Sequence, residues 1–178
     1  MCGVRRNACV IVLLLMVGAA PSAEIIDRIV AVVAGQILTK SDVDAAAAFG
    51  LAPNLEALID RTLMLSEVRR VAPPEPDPAA LDARIERART SFATAQAFAR
   101  ALEVSGWDES VLRAFLADDL RLARYLEERF SNASQPTEDE IREAGEAARE
   151  RLTAARREAL VNAWIAELRR RTDMTMLR

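Results

Sequence analysis

A chain of 178 residues is long enough for one domain, and its 24 basic and 27 acidic side chains give a net charge of −3. This acidic balance argues against a nucleic-acid partner, because binding to phosphates requires a basic surface. The sequence has no histidine, so the commonest general base and the commonest metal ligand are both missing. We therefore expect neither an enzymatic site nor a metal or cofactor site.

Residues 1–23 have the pattern of a signal peptide. Arg5 and Arg6 provide the positive start, and a run of ten apolar residues and then several small residues follow. The apolar run is short for a membrane span, although a retained N-terminal anchor is the alternative. Both cysteines, Cys2 and Cys9, lie in this leader, so the mature chain has no disulfide or thiol chemistry. Because the leader holds two basic and no acidic residues, the mature chain carries a net charge of −5.

The first elements after the leader are predicted to be a hairpin and a helix. Residues 24–33 hold six β-branched side chains, which predicts a strand that is buried on both faces. Gly35 suits a turn, because glycine tolerates a positive φ, and residues 36–38 return as a second strand. Thr39 or Ser41 then caps a short alanine-rich helix.

The middle of the chain is predicted to be helical. Apolar residues recur at helical spacing over residues 54–71, 79–92, 94–104 and 108–130. The predicted apolar stripe of the last of these helices consists of Leu112, Phe115, Leu116, Leu120, Ala123, Leu126 and Phe130. Four prolines within residues 72–78 interrupt this pattern and make a stiff connector, since proline cannot continue a helix. A proline-rich ligand for a partner domain is the alternative interpretation of that connector.

The last part of the chain begins with a capping box, in which Thr137 is the N-cap and Glu140 its partner. The helical pattern then continues to about Arg171, although residues 142–157 are thinly apolar and predict weak packing. Residues 172–177 alternate and predict a terminal strand that pairs with the first hairpin. The predicted fold is therefore mainly α, a helical core with a small β-sheet formed by an N-terminal hairpin and a C-terminal strand.

Four stretches carry a resemblance to a known family. They are IIDRIVAVVAGQILTKSDVD at 25–44, LIDRTLMLSEVRR at 58–70, WDESVLR at the start of 107–130, and WIAELRRRTDMTML at 164–177. In this order they resemble the N-terminal chaperone domain of the SurA family, periplasmic helpers of outer-membrane protein assembly. The resemblance implies a periplasmic location, a chaperone domain at residues 24–130, and a helix and strand at residues 159–178 that complete its core.

The chain also departs from that family. Family members commonly carry one or two parvulin-type prolyl isomerase domains between these two parts, after a segment similar to PTEDEI at 136–141. Here only a linker or helix at residues 131–158 takes their place, and so few residues cannot form a catalytic domain. We expect a chaperone core without isomerase activity, and an isomerase with an unrecognised site is a third option.

Polar residues offer little catalytic chemistry. Acidic residues cluster at 118–119, 127–128 and 138–140, but two carboxylates act as acid and base only in a cleft that separates their pKa values. On amphipathic helices such residues usually face solvent. Lys40 lies beside Ser41, and a lysine can in principle activate a serine as a nucleophile. A lysine in such a turn is usually just exposed, however.

Aromatic and apolar side chains are the candidates for binding. A holdase needs apolar surface that is left uncovered and rimmed by charge. We predict that a peptide-binding groove is lined by Phe49, Leu51, Met64, Phe92, Phe98, Trp107, Phe115 and Trp164. Aromatic residues at helical spacing more often form the core, which is the alternative for this whole set.

These patterns together predict an ATP-independent periplasmic chaperone, a holdase, that binds unfolded or partly folded outer-membrane or secreted proteins. We expect no nucleic-acid partner and no stable membrane insertion once the leader is removed. The alternative is a structural or assembly module that binds one folded partner, or itself, through its C-terminal helix and strand.

Overall fold

The computed structural model describes residues 27–177. The predicted signal peptide and residues 24–26 of the predicted first strand therefore lie outside the described part of the chain. Within it the elements are β1 (Ile29–Val33), β2 (Gln36–Thr39), α1 (Lys40–Ala48), α2 (Leu55–Arg70), α3 (Pro78–Thr90), α4 (Ala95–Ser105), α5 (Glu109–Phe130), α6 (Glu138–Ala144), α7 (Arg149–Arg171) and β3 (Met174–Met176). The prediction of a mainly helical chain with one small sheet is confirmed.

The sheet is antiparallel in the order β2-β1-β3, so the first and last described strands are hydrogen-bonded neighbours. Ala34 and Gly35 both have positive φ, 50° and 77°, the geometry of a tight turn that matches the twist of a hairpin. Met174 of β3 stands opposite Val33 of β1, and Met176 stands opposite Ala31. The predicted pairing of the terminal strand with the N-terminal hairpin is therefore confirmed.

Local capping explains where the helices begin. Each cap side chain accepts a hydrogen bond from the backbone N–H three residues further on, which satisfies one of the free donors of the first turn. The residues that do this are Thr39, Asn54, Thr94, Asp108 and Thr137. The proline connector ends where Pro78 enters the first turn of α3, a position at which its missing N–H costs nothing.

The prediction of a continuous helix from Thr137 to Arg171 is wrong at Gly145. Gly145 has φ 83° and ψ 150°, a conformation that is open essentially only to glycine, and it ends α6. A short 3-10 turn at Glu146–Ala148 follows before α7 begins. The two helices are therefore separate elements.

The core has two main clusters that share residues at their boundary. The first joins β1 and β2 to α2, the end of α5 and α7, and Trp164 and Leu168 bring α7 into it. The second joins α1, α3, α4 and the first half of α5. Leu51 and Phe115 contact both clusters, so the described residues pack continuously.

Two predictions about burial need correction. The first strand is not buried throughout, because Ile29 is 40% exposed and Val32 is half-buried, although Val30, Ala31 and Val33 are covered. One face of the sheet is therefore only partly covered, because three short strands cannot form a second layer over it.

In α5 the predicted apolar stripe included Ala123, which is exposed. Its place is taken by Leu122, which is buried against Leu65 and Val68 of α2. The other residues of the predicted stripe are buried or half-buried, so the prediction is wrong at Ala123 alone.

Candidate functional site

The eight candidate binding residues divide evenly by burial. Phe49, Phe98, Trp107 and Trp164 are buried, with at most 9% of each residue exposed. The other four, Leu51, Met64, Phe92 and Phe115, are half-buried and pack against the core clusters. In this conformation the four buried side chains stabilise the fold, and their role in peptide binding stays a prediction.

Phe49, at the end of α1, lies at the centre of an aromatic cluster. Its ring centre is 5.5 Å from that of Phe92, 5.9 Å from that of Phe98 and 6.0 Å from that of Trp107. Phe115 extends the cluster, since its ring centre is 5.2 Å from that of Trp107. Such pairs stabilise a fold by about 0.5–1.5 kcal/mol each beyond the area they bury.

Trp164 and Met64 lie outside that cluster. Trp164 packs in the first core, with its ring centre 5.6 Å from that of Tyr125 and 6.0 Å from that of Phe130. Met64 packs between that core and the small cluster of Leu65, Val68 and Leu122. The structure therefore brings five of the eight candidates into one aromatic cluster and places Trp164 and Met64 elsewhere in the core, while Leu51 packs against both main clusters.

An open groove lies between β2, α2 and the start of α5, and we name it the β2 groove. Its volume is about 400 Å³, within the range of roughly 300–1,000 Å³ that is usual for binding clefts. Its lining residues are Gln36, Ile37, Leu38, Asp42, Leu58, Arg61, Thr62, Trp107, Val111 and Phe115. Only Trp107 and Phe115 of the predicted binding set contribute to it.

Two exposed apolar side chains mark the rim of the β2 groove. Ile37 of β2 is 57% exposed, and Val111 in the first turn of α5 is 42% exposed. Among the described residues β2 also has a strand neighbour on one side only, so its other backbone edge has no strand partner there. Apolar rim, aromatic floor and free strand edge therefore occur together at one place.

Arg61 forms part of the floor of the groove, and its charged group is bound by residues of α5. Its Nε donates to Oδ1 of Asp119 at 2.7 Å, and its Nη2 donates to the carbonyl of Phe115 at 2.8 Å. The guanidinium carbon also lies 3.3 Å from the ring centre of Phe115. Burial lowers the pKa of Arg61 and raises the pKa of Asp119, so desolvation outweighs the mutual attraction of the pair.

The sequence carried a signal for this ion pair that our predictions missed. Arg61 lies three residues after Leu58 and four before Leu65, both buried, so it is on the inward stripe of α2. Asp119 likewise lies three residues after Leu116 and three before Leu122 on α5. A charged residue on the buried stripe of each of two helices predicts an interior pair.

Several of the remaining charged candidates form ion pairs near the surface. Lys40 pairs with Asp44, and Asp118 accepts from Arg69 at 3.0 Å and from Arg121 at 2.8 Å. Within residues 27–177 no group of three or more His, Cys, Asp or Glu side chains is arranged to hold a metal ion. In the same range no helix has the length and apolar character needed to cross a membrane.

Comparison with models of protein families found no match to this chain, and comparison with curated proteins found none either. The resemblance of residues 24–130 to the SurA family therefore stays a prediction.

Proposed function

We propose that this chain is an ATP-independent holdase of the periplasm that binds extended segments of unfolded outer-membrane or secreted proteins. The observation that carries the proposal is the β2 groove, in which exposed apolar side chains and an aromatic floor adjoin a free strand edge. The signal-peptide pattern and the family resemblance, both predictions from the sequence, support the location and the class of client.

A client segment would bind as a strand beside β2. Backbone hydrogen bonds to the free edge would not depend on sequence, and every second side chain would enter the β2 groove. Strands of outer-membrane barrels alternate apolar and polar residues with the same period of two, which fits a groove on one side of the added strand. Such a site binds many sequences weakly, as a holdase requires.

The charge of the chain suits this role. The net charge of −5 that the chain carries without its predicted leader would help to keep a complex with an apolar client in solution through mutual repulsion. The ion pair of Arg61 with Asp119 satisfies the charge on the floor of the groove, so an apolar side chain can enter without uncovering an unpaired charge.

Light scattering of a diluted, chemically unfolded outer-membrane barrel protein tests the proposal. Residues 24–178 at several-fold molar excess are expected to suppress the rise in scattering and to leave a folded control protein unbound. Ile37→Lys is expected to weaken the suppression several-fold, because a lysine on β2 removes the apolar rim and discourages strand addition. Unchanged scattering with the unmodified chain would falsify the proposal.

Val104→Lys is the matched control for Ile37→Lys. Val104 is 79% exposed on α4 and lies outside the β2 groove, so the same change of chemistry is made at a distant surface. It is expected to suppress scattering as well as the unmodified chain does. Equal loss in both variants would mean that a general surface property, and not the β2 groove, holds the client.

A second candidate function is an assembly module that uses the other edge of the sheet. The outer edge of β3 has no strand neighbour among the described residues, and Met176 and Leu177 beside it are 52% and 43% exposed. Against it, α7 packs its Trp164 and Leu168 inside this chain, so the predicted helical half of the interface is already occupied. Sedimentation showing a concentration-dependent dimer that Met176→Lys abolishes would favour this candidate.

A further inference from the structure

A second pocket shares no lining residue with the β2 groove and combines apolar and cationic walls. Phe49, Leu51 and Leu116 supply the apolar walls, and Arg84, Arg87 and Asp119 supply the charged ones. Its volume is about 280 Å³, just below the range of roughly 300–1,000 Å³ for drug-sized ligands, so it suits a single residue.

The charged side chains of this pocket differ in whether they have hydrogen-bond partners. Oδ1 of Asp119 accepts from Arg61, and Nε of Arg87 donates to the carbonyl of Ala83 in its own helix at 3.2 Å. The Nε of Arg84 is buried and has no hydrogen-bond acceptor within the described residues. A buried donor without an acceptor is uncommon in native proteins, because leaving it unpaired is costly.

The partner must be an acceptor, and because Nε itself is covered it would bind the Nη groups of the same guanidinium. The cationic side chains favour a negatively charged acceptor. The same small space is walled by Phe49, Leu51 and Leu116, so the ligand must present an apolar group within one residue of its negative charge. The last residue of a polypeptide does this, because its α-carboxylate and its side chain are attached to one carbon atom. An internal acidic residue carries its charge at the end of its own side chain, so any apolar group beside it belongs to a neighbouring residue and lies several bonds further from that charge.

We propose that this pocket binds the C-terminal residue of a polypeptide, with the α-carboxylate on Arg84 and an apolar last side chain against Phe49, Leu51 and Leu116. The proposal extends the polypeptide-binding function above by naming an end-specific contact. It does not need a client to occupy the β2 groove at the same time. A bound chain end would be anchored by charge, and an internal segment would be held by strand pairing.

Titration of a glycine-serine hexapeptide that ends in one leucine tests the proposal. The peptide lacks alternating apolar side chains, so it does not resemble a client of the β2 groove. The readout is the ¹H–¹⁵N signal of the arginine Nε–H groups, with the Arg84 signal assigned by its loss in Arg84→Gln. We expect that signal to shift with the free-acid peptide, and the C-terminal amide of the same peptide to bind about tenfold more weakly.

Variants then locate the site. Fluorescence anisotropy of the labelled free-acid peptide is expected to give about tenfold weaker binding for Arg84→Gln and unchanged binding for Arg100→Gln. Arg100 is the matched control, because it is exposed on α4 and outside this pocket. Thermal unfolding of both variants verifies that they are folded.

Three results would overturn the proposal. They are equal binding of acid and amide, unchanged binding by Arg84→Gln, and equally tight binding of an amidated peptide whose only acidic residue is internal. Ile37→Lys is expected to leave the free-acid peptide bound, which separates this site from the proposed function. If the peptide binds and client scattering is not suppressed, the holdase function fails and the carboxylate site stands.

Discussion

Replacing Arg61 by methionine would leave the Asp119 carboxylate without its ion-pair partner inside the protein. The side chains of Arg61 and Asp119 are only 12% and 18% exposed, and Nε of Arg61 is 2.7 Å from Oδ1 of Asp119. The change also removes the hydrogen bond from Arg61 to the carbonyl of Phe115. Methionine keeps much of the aliphatic volume, so the lost charge is the main perturbation.

The size of the effect follows from the burial of the pair. Breaking a buried ion pair by removing one partner costs about 3–5 kcal/mol. Because both side chains keep some contact with water, we expect the lower end, about 3 kcal/mol, in the free energy of unfolding. For a chain of this size that loss corresponds to a melting temperature lower by roughly 6–12 °C.

The deficit of Arg61→Met should depend on pH. Burial already raises the pKa of Asp119 above its unfolded value, and loss of the neighbouring cation raises it further. A carboxylate whose pKa is raised in the folded state destabilises that state at pH values where the same group is already ionised in the unfolded chain. The deficit is therefore small near the unfolded pKa of about 3.9, grows as pH rises, and becomes constant above the folded pKa.

Urea unfolding between about pH 4 and about pH 8 measures this deficit. The double variant Arg61→Met with Asp119→Leu is expected to lie within about 1 kcal/mol of the unmodified chain, since apolar residues of similar volume commonly replace such pairs without loss. Arg100→Met, at an exposed position of α4, is the control and should change stability by less than about 0.5 kcal/mol. A pH-independent deficit, or a double variant as unstable as the single one, would refute the reasoning.

Four further predictions concern the stability of individual elements. Leu168→Ala removes a fully buried side chain of α7 and should cost about 2–5 kcal/mol in urea unfolding, a value below 1 kcal/mol being inconsistent with its burial. Gly145→Ala should cost about 1–3 kcal/mol, because φ 83° with ψ 150° strains any residue with a Cβ, and calorimetry would detect the lower melting temperature. Thr137→Ala removes the cap of α6 and should cost about 1 kcal/mol by the same measurement. Hydrogen bonds from Thr137 lower the pKa of Glu140, so Glu140 contributes stability above its unfolded pKa that is lost as pH falls, and Glu140→Gln should remove this pH dependence.

Local interactions explain why the helix starts were predictable. An N-cap such as Asn54 or Thr137 accepts a hydrogen bond from a backbone N–H only three residues away. The identity and position of the cap residue are therefore sufficient to predict where the helix begins. The break between α6 and α7 at Gly145 was missed because alanine and charged residues of good helix propensity surround this glycine. A single glycine inside such a pattern predicts one helix that is less stable at that residue, and packing decides whether the helix ends there.

The candidate site was harder to predict than the fold. Sequence patterns identified apolar side chains, but exposure is a property of neighbouring elements that come from distant parts of the chain. Trp107 and Phe115 line the β2 groove, whereas Trp164, of similar character, packs from α7 into the first core cluster. Ile37, which is the most exposed residue lining the groove among the large apolar ones, was predicted only as part of a strand.

The sequence by itself determined the helical class, the caps, the hairpin turn and the small sheet, because periodicity, capping and turn chemistry act over a few residues. Only the tertiary structure decided that Arg61 and Asp119, 58 residues apart, form an interior ion pair with a groove on one side and a cationic pocket on the other. Helix packing sets such distances, and it depends on how whole apolar stripes fit together, which no local pattern specifies.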